Sequence, residues 1–227
     1  MPSDPQALLK TVPLFDDLSD EVLVGLAPQL RRRAFRKGTM IFHRDQAGDA
    51  LYIVESGRIR IFVPAEGGEE LTLHLLGPGD VFGEMALLDG RPRSASADAV
   101  EDTVTYTLGR DEFQGYLAAT PRLGSALIEQ LCGTLRHLIQ YTESLAFYDV
   151  HARIAKMLLE LADRYGTRTN GIEIGMDLTQ AELARMVGAT RERVNRALAS
   201  FRTQGVLELR GKRIVILDAK RLSERIY

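Results

Sequence analysis

The stretch Val81-Phe82-Gly83-Glu84-Met85-Ala86-Leu87-Leu88-Asp89-Gly90-Arg91-Pro92-Arg93-Ser94-Ala95 interrupts a series of short strand-like runs. A strand-like segment leads into a glycine, a carboxylate and a short apolar turn of helix, and an arginine beside a serine follows. Backbone without a side chain can lie against a ligand, and the start of a helix offers free N–H groups to an anion. Arginine matches phosphate oxygens bidentately, and a carboxylate accepts hydrogen bonds from ribose hydroxyls. The stretch therefore predicts a cradle for a ribose phosphate.

Short strands are predicted on both sides of this stretch. They are four to seven residues long and are separated by glycine-rich breaks such as Gly48-Asp49 and Gly67-Gly68, a spacing typical of an antiparallel barrel or sandwich. Ile59, Ile61 and Val63 alternate with polar or aromatic neighbours, which predicts a half-buried strand. The predicted strands are Thr39–Phe42, Ala50–Val54, Arg58–Val63, Glu70–Leu76 and Thr103–Leu108.

The segment before the strands predicts short amphipathic helices over residues 5–30, with Ser19 as a helix cap. Arg31-Arg32-Arg33 follows at once. Three successive arginines could contact nucleic acid, but a solvated helix end or edge strand explains them as well, and we favour the solvated face.

A long helix is predicted from Pro121 to Tyr148. Apolar residues recur in it at alternating steps of three and four, which is the narrow stripe of a two-stranded seam. The alternative is packing against the barrel of the same chain, through a wider stripe that includes Leu127 and Ile139. Both can hold, and the seam predicts a symmetric homodimer. The stripe consists of Ile128, Leu131, Leu135, Leu138, Thr142 and Leu145.

Residues 177–198 split into two short helices. Thr179 with Glu182 forms the pattern of a capping box, Gly188 permits a left-handed end to the first helix, and Thr190 is the cap of the second. The pattern predicts a helix-turn-helix, whose second helix would enter the major groove of DNA. Arginine there pairs with guanine and a carboxylate accepts from cytosine. An ion pair between Glu192 and Arg196 on an ordinary surface helix is the alternative.

A predicted hairpin, Val206–Ile216, follows with Arg210-Gly211-Lys212-Arg213 at its tip, which suits phosphate contact. Charge is distributed accordingly. Residues 1–150 contain 14 Lys+Arg and 22 Asp+Glu, whereas residues 151–227 contain 15 and 9. An acidic body with a basic C-terminal module is a common property of nucleic-acid-binding proteins.

The bulk composition limits the protein class. The chain is 45% hydrophobic and 26% charged, which is ordinary for a globular protein. No apolar run approaches the roughly 20 residues that span a bilayer, and Met1-Pro2-Ser3-Asp4 does not begin a signal peptide. A single cysteine, Cys132, excludes an internal disulfide and an all-cysteine metal or iron–sulfur site. We find no nucleophile–base pair and expect no enzyme activity.

Three motifs in one order make the chain resemble the bacterial transcription factor family of the cyclic AMP receptor protein and the fumarate–nitrate reduction regulator (Crp/Fnr family). The resemblance covers nearly the whole chain and implies an α+β fold. Its expected parts are an N-terminal antiparallel β-roll of the cyclic-nucleotide-binding type (1–119), a dimerisation helix and hinge (120–149) and a winged helix-turn-helix (150–227). The motifs are Phe82–Leu88 with Pro92–Ala95, Leu145–Val150 with Arg153–Ala155, and Val187–Glu192 with Val194–Arg196.

The resemblance also implies site residues, an effector and partners. Gly83 and Glu84 would face the ribose of a cyclic nucleotide, with cAMP expected, and Arg93 and Ser94 its phosphate. Expected partners are double-stranded DNA, a second copy of the chain and RNA polymerase, in the cytoplasm and not at a membrane. The implied effector-binding set is Gly83, Glu84, Met85, Ala86, Arg93, Ser94, Leu138 and Ile139. The implied DNA-binding set is Thr179, Thr190, Arg191, Glu192, Asn195, Arg196 and Lys212, with a TGTGA-like half-site and Lys212 on phosphate.

The chain departs from the family pattern in places. Leu138 and Ile139 occupy the positions where cyclic AMP receptors have a polar pair on the dimer helix to meet adenine. A second hypothesis therefore stays open: the same DNA-binding regulator with a vestigial or differently liganded pocket, active without cAMP. Ala181 replaces a polar residue that contacts phosphate. Met85 stands where related haem sensors have their axial histidine, so no haem is expected. The single cysteine likewise argues against an iron–sulfur cluster, and no other metal is expected.

Overall fold

Eight short strands before residue 110 pair into two antiparallel sheets in a computed structural model of the chain. The structure describes residues 4–226, so Met1, Pro2 and Ser3 of the signal-peptide argument lie outside it. The strands are β1 (Arg31–Phe35), β2 (Met40–Phe42), β3 (Ala50–Ser56), β4 (Ile59–Pro64), β5 (Glu70–Leu76), β6 (Val81–Phe82), β7 (Ser96–Ala99) and β8 (Thr103–Gly109). The sheet orders are β1-β8-β3-β6 and β2-β7-β4-β5. The predicted antiparallel β-roll is confirmed.

Two of these strands, β1 and β7, are not among the predicted strands, although an edge strand is one of the two explanations given for Arg31-Arg32-Arg33. β1 is the edge strand Arg-Arg-Arg-Ala-Phe, and it pairs with β8 so that Arg31 lies opposite Thr107. Its exposed arginines hide the apolar alternation that marks a strand, and they form a solvated face as expected. β7 consists of small residues, yet Ala97 and Ala99 are fully buried between the sheets.

The predicted alternation of β4 is wrong in one respect, because both of its faces are covered. Ile59 is buried as expected, but Arg60 and Phe62 on the other face are buried as well. Arg60 Nη2 lies 2.7 Å from Asp98 Oδ2, and its guanidinium lies 4.0 Å from the centre of the Phe62 ring. A charge tolerates burial when a paired carboxylate compensates it.

Helices cover one face of the β1-β8-β3-β6 sheet. Leu51, Ile53 and Leu108 of the sheet form a core with Phe15, Phe113 and Leu123 from the surrounding helices. The helices of this half are α1 (Pro5–Leu9), α2 (Asp20–Leu26), α3 (Met85–Asp89), α4 (Arg110–Ala119) and α5 (Pro121–Phe147), with a 3-10 turn at Ala27–Gln29. Ser19 caps α2 as predicted, because its Oγ accepts a hydrogen bond from Val22 N at 3.5 Å.

The chain forms two compact units. The first contains the chain up to Pro64 and Leu73–Arg136, and the second contains the hairpin tip Ala65–Thr72 and the chain from His137 onward. α5 contributes residues to both units. The predicted three-part division at residues 119 and 149 stays a prediction.

The apolar stripe of α5 is rotated from its predicted position. Leu127 is buried and Leu131 packs half-buried against the helix-covered core of the first unit. Ile128, Leu135 and Ile139 are instead 63%, 58% and 58% exposed, and the exposed Cys132 lies between them. We name these four residues the exposed stripe. The packing surface therefore uses Leu127 and Leu131, whereas Ile139, expected in the same wide surface, is exposed together with Ile128 and Leu135. The narrow seam stays a prediction.

The second unit has the winged-helix architecture. Its elements are α6 (Val150–Tyr165), β9 (Gly166–Thr169), β10 (Gly171–Ile174), α7 (Gln180–Val187), α8 (Arg191–Thr203), β11 (Leu207–Arg210), β12 (Arg213–Ile216) and α9 (Ala219–Ser223). A four-stranded sheet has the order β11-β12-β10-β9. Gly171, with φ of 119°, turns residues 166–174 into a hairpin before α7, which sequence analysis did not identify.

Between residues 4 and 226, none of the helices combines the length and the apolar character that a membrane span needs.

Candidate anion cradle and nucleic-acid interface

The cradle is built on a left-handed glycine at the end of β6. Gly83 has φ of 81°, a conformation that favours glycine. A Cβ atom there would also lie 2.7 Å from Nη1 of Arg93. α3 begins two residues later and ends at Gly90, which is left-handed with φ of 70°. Both glycines of the sequence motif are thus required by the backbone, and the short helix predicted inside the strand pattern is confirmed.

Arg93 is almost completely buried beside this turn, at 4% exposure. Its Nη1 donates to Gly83 O and its Nη2 to Ala50 O at 2.7 Å. The guanidinium lies 4.3 Å from the centre of the Phe42 ring. Nε is buried too, but it has no hydrogen-bond partner among residues 4–226. A buried donor without a partner costs free energy, so Nε is a candidate contact for an anionic ligand.

A second glycine, Gly48, forms the opposite wall of the cradle. A Cβ atom at Gly48 would lie 2.6 Å from Ala86 Cβ and 2.7 Å from Arg93 Cζ. These spacings leave no room for a side chain. The loop before β3 therefore meets α3 and Arg93 through its backbone, and sequence analysis did not identify this contact.

Glu84 contributes a buried carboxyl group, 8% exposed, immediately before α3. Burial raises the pKa of Glu84, and its own backbone N–H and the charge of Arg93 partly oppose that rise. The amides of Leu87 and Leu88 both donate to Glu84 O. The amides at the start of the turn, before Leu87, are those that a helix leaves without intrahelical partners.

The remaining motif residues lie at the edge of the cradle. Ala86 is buried, whereas Met85 is 46% exposed. Ser94 is exposed, and its Oγ lies 3.7 Å from Met85 Sδ. The hydroxyl can therefore turn toward a ligand, and the cradle combines a buried cation, a buried carboxyl and an exposed hydroxyl.

Arg110, at the start of α4, donates hydrogen bonds to the backbone of both walls of the cradle. Its Nη2 donates to Gly48 O at 2.6 Å and to Ala86 O at 2.9 Å, and its Nη1 donates to Leu87 O at 3.3 Å. Gln114 donates a further hydrogen bond to Leu87 O at 3.0 Å. These contacts join both backbone walls of the cradle to α4. No local motif marks them in the sequence.

The two residues expected to meet a base belong to the second unit. Leu138 is half-buried and Ile139 is 58% exposed. Neither side chain has a donor or an acceptor, so any contact that they make to a base is apolar.

The helix-turn-helix has the predicted caps. Thr179 Oγ1 accepts from Glu182 N at 3.2 Å, while a carboxylate oxygen of Glu182 accepts from Thr179 N at 2.6 Å. Gly188 ends α7 in the left-handed conformation, with φ of 60°. Thr190 caps α8 by accepting from Arg193 N at 3.3 Å. Local sequence thus determines where both helices begin and where α7 ends.

α8 presents its N-terminal half to solvent. Arg191, Glu192, Asn195 and Arg196 are exposed. Glu192 and Arg196 are not paired with each other among residues 4–226, and both side chains are exposed. Gln180 Nε2 donates to Asn195 Oδ1 at 3.1 Å, a contact between helices that sequence analysis missed.

The wing connects to the entry of α7. Gly211 turns the β11–β12 hairpin with φ of 65°, and the neighbouring Lys212 is exposed. Lys212 O accepts from Leu178 N at 2.8 Å, and Arg213 Nε lies 3.0 Å from Asp177 Oδ1. These two contacts connect the β11–β12 hairpin to the residues just before α7. The exposed cations of the hairpin are therefore fixed relative to the helix-turn-helix. Within the described chain, no three His, Cys, Asp or Glu residues form a group that could hold a metal ion.

Known families match both parts of the chain that contain these candidate sites. Residues 32–120 match the cyclic nucleotide-binding domain family, and residues 152–225 match the Crp-like helix-turn-helix domain family. A CRP-like cAMP-activated global transcriptional regulator of Mycobacterium tuberculosis is 36% identical over 219 residues, which is 96% of this chain and 98% of the relative. The cyclic AMP receptor protein of Thermus thermophilus is 36% identical over 216 residues, 95% of this chain and 97% of the relative.

A solved structure of CLP, the c-di-GMP-responsive global regulator of Xanthomonas campestris, has a similar fold. Its TM-score is 0.75 at 27% identity, with 83% of this chain and 94% of the CLP chain covered. The Mycobacterium relative is named a global transcriptional regulator, and CLP is named a global regulator linked to virulence gene expression.

Proposed function

The chain belongs to the Crp/Fnr family of DNA-binding transcription regulators, and on that premise we propose that it is a homodimer gated by a cyclic nucleotide, cAMP. The proposed effector site is the cradle of Gly83, Glu84, Met85, Ala86, Arg93 and Ser94, with Leu138 and Ile139 toward the base. The proposed operator is a palindrome of TGTGA-like half-sites. RNA polymerase is the proposed further partner.

The observation that supports the effector site best is the buried Nε of Arg93. The cation is held between two backbone walls, at Gly48 and Gly83, where no side chain fits, and Nε has no hydrogen-bond partner within residues 4–226. Phosphate oxygens satisfy guanidinium donors with bidentate geometry. The residues present therefore fit a cyclic phosphate, which supplies an anionic acceptor for Nε, the Arg93 nitrogen without a partner among residues 4–226.

The other cradle residues would make the remaining contacts to the ribose and the phosphate of the nucleotide. Glu84, ionised, accepts from the ribose hydroxyl, a hydrogen bond that compensates its burial. The amides of Met85 and Ala86 begin the turn of α3, and the Ser94 hydroxyl lies at the rim, so these groups add donors to the phosphate. The contacts are mostly to sugar and phosphate, and they hold any cyclic nucleotide of suitable size.

The choice of cAMP is supported by the relatives that share 36% identity, since both are named for cAMP. The apolar side chains of Leu138 and Ile139 bring no base-specific hydrogen bond, and CLP is described as responsive to c-di-GMP. Titration of ligand-free protein with cAMP, cyclic GMP and cyclic di-GMP therefore decides the effector. We expect heat of binding with cAMP at the lowest concentration.

Arg93→Ala tests the cradle, and Arg91→Ala is its matched control. Arg91 is an exposed arginine two residues away on the same loop. We expect Arg93→Ala to lose nucleotide binding at every concentration below 1,000 times the wild-type Kd, that is, by about 4 kcal/mol or more. Arg91→Ala should bind as wild type does. Wild-type affinity in the Arg93 variant would refute the effector site.

The proposed DNA interface rests on the exposed face of α8. Arg191, Glu192 and Arg196 are exposed together, and Thr190 holds the start of the helix. Guanine-rich and cytosine-containing half-sites suit an arginine–glutamate–arginine set, because each good pairing discriminates by about 1–3 kcal/mol. Thr179, Thr190, Asn195 and Lys212 complete the proposed set, with Lys212 on phosphate.

Selection of binding sites from a random pool tests this interface. Glu192→Ala should relax the preference at one base pair of each half-site and leave the other positions unchanged. Arg202→Ala, at the exposed far end of α8, is the control and should select the wild-type site. If Glu192→Ala also selects the wild-type site at every position, Glu192 does not read bases.

The proposed homodimer rests on the exposed stripe of α5. Ile128, Leu135 and Ile139 would each leave apolar surface in water if the chain were alone. In a parallel two-stranded seam, residues of one stripe meet their own copies across the axis. Cys132 lies in this stripe, so a disulfide between two copies of Cys132 would show that the two stripes meet. We expect mild oxidation to give a covalent dimer through Cys132, whereas Cys132→Ser should remain uncrosslinked and still sediment as a dimer.

A second candidate function is a DNA-binding regulator of the same kind whose operator binding does not depend on a nucleotide. Leu138 and Ile139 are apolar, and two donors of Arg93 are already satisfied by carbonyls of its own unit. Both features suit a regulator that binds its operator without a nucleotide. Operator affinity that is equal with and without cAMP, in protein shown to be nucleotide-free, would establish this function in place of the gated one.

A further inference from the structure

The turn between α7 and α8 is held by side chains from two other helices. α7 ends with carbonyls that no amide of its own helix can reach. Tyr141 of α5 donates its hydroxyl to Met186 O at 2.9 Å. Arg153 of α6 donates Nη1 to Val187 O at 2.8 Å, with Gly188 O at 3.4 Å. Each of these three successive carbonyls therefore has a side-chain donor.

Both donors suit this position. Arg153 places a cation at the C-terminal end of α7, where the helix dipole favours positive charge. Burial raises the pKa of Tyr141 to about 12, although the nearby charge of Arg153 opposes the rise. The hydroxyl therefore stays protonated across the physiological range, and it remains a donor.

Apolar side chains and an ion pair also lie at or near this turn. A Cβ atom at Gly188 would lie 3.0 Å from Leu145 Cδ2 and 3.2 Å from Leu71 Cδ1. Leu145 belongs to α5, and Leu71 belongs to the hairpin tip Ala65–Thr72 of the same unit. Beside them, Arg185 Nε lies 3.7 Å from Glu70 Oε2. The turn is thus enclosed by two helices and the hairpin tip.

We propose that Tyr141 and Arg153 are positioning residues for DNA recognition. The turn that they hold is followed directly by Thr190 and by the base-reading start of α8. α5 also bears the exposed stripe of the proposed dimer, so the Tyr141 hydroxyl joins the DNA-reading helix to the dimer seam. Two such links, one in each protomer, determine how far apart the two copies of α8 lie. This inference rests on the proposed dimer and on the proposed role of α8.

Spacing discrimination tests the proposal, because loss of stability alone would not change it. The measurement is the ratio of Kd values for two palindromes, one with the preferred half-site spacing and one with a single base pair inserted. Insertion moves one half-site by about 3.4 Å and rotates it by about one-tenth of a turn. We expect a large ratio in wild type and a ratio at least threefold smaller in Tyr141→Phe. Kd for the preferred site should rise about three- to tenfold.

The controls separate this proposal from the proposed function. Tyr116→Phe removes a tyrosine hydroxyl from the first unit and should keep the wild-type ratio. Arg153→Lys keeps the charge but shortens the reach, and it should reduce the ratio as Tyr141→Phe does. A wild-type ratio in both Tyr141→Phe and Arg153→Lys would overturn the inference, as would dissociation of the Tyr141→Phe dimer in sedimentation. A wild-type protein that is monomeric or indifferent to spacing would refute the proposed homodimer instead.

Discussion

Arg110 provides the most direct test of how the cradle keeps its shape. Replacing it with methionine retains an unbranched apolar stem and removes the hydrogen bonds to Gly48 O, Ala86 O and Leu87 O. Arg110 does not belong to the motif that binds the ligand in our proposal. Any loss of nucleotide affinity in this variant therefore comes from disorder in the walls of the cradle.

The structure sets the size of the effect. Two of the three bonds are short, at 2.6 and 2.9 Å, and a hydrogen bond from a charged donor stabilises by about 1.5–3 kcal/mol. Arg110 is half-buried, so water replaces part of this, and we expect a loss of about 2–3 kcal/mol in unfolding free energy. At roughly 2–4 °C per kcal/mol for a chain of this length, the melting temperature should fall by about 4–12 °C.

Binding should weaken as well. Without Arg110, at least one residue in each of the Gly48 loop and α3 must be ordered when the nucleotide binds, at about 1–2 kcal/mol per residue. Two such residues together cost at least about 2 kcal/mol, which corresponds to a Kd about thirtyfold higher or more. Titration calorimetry with cAMP, well below both melting transitions, measures it. Arg91→Met, on an exposed arginine of the cradle loop, is the control and should match wild type. A folded Arg110→Met protein with the wild-type Kd would refute this account of the cradle.

Three further predictions follow from burial, exposure and capping. Glu84→Gln should raise the melting temperature of nucleotide-free protein at pH 8, because the buried charged form of Glu84, whose pKa is raised, opposes folding there. The gain should vanish as the pH falls through that raised pKa, and a gain independent of pH would contradict it. Leu135→Asp should convert the dimer to a monomer in sedimentation, whereas Gln140→Asp, off the exposed stripe, should not. Thr179→Ala should cost about 1 kcal/mol of unfolding free energy through the lost cap, measured by urea denaturation, and an unchanged midpoint would count against the capping box.

The parts that were predictable from sequence are those whose causes are local. Thr179 and Glu182 stand three residues apart, and Gly83 and Arg93 ten apart, so pattern alone located the helix-turn-helix and the cradle. Arg110, by contrast, donates hydrogen bonds to residues that precede it by 23, 24 and 62 positions in the chain. No local sequence pattern encodes such contacts. β1 was not among the predicted strands, because its three arginines lack the alternation of apolar and polar residues. The stripe of α5 was misplaced because a seam and a core both use apolar residues on one helix.

The pairing of β1 with β8 has a consequence for synthesis on the ribosome. Arg31 O accepts from Thr107 Oγ1, 76 positions later in the chain. At the usual elongation rate of about 5–20 residues per second, β1 waits roughly 4–15 s for its partner strand to be made. During that time its edge is open to other nascent chains, and charged residues are the usual protection of an unpaired strand edge. The positive charges of Arg31, Arg32 and Arg33 disfavour pairing of this edge with another chain, so the same solvated face is useful before β8 exists.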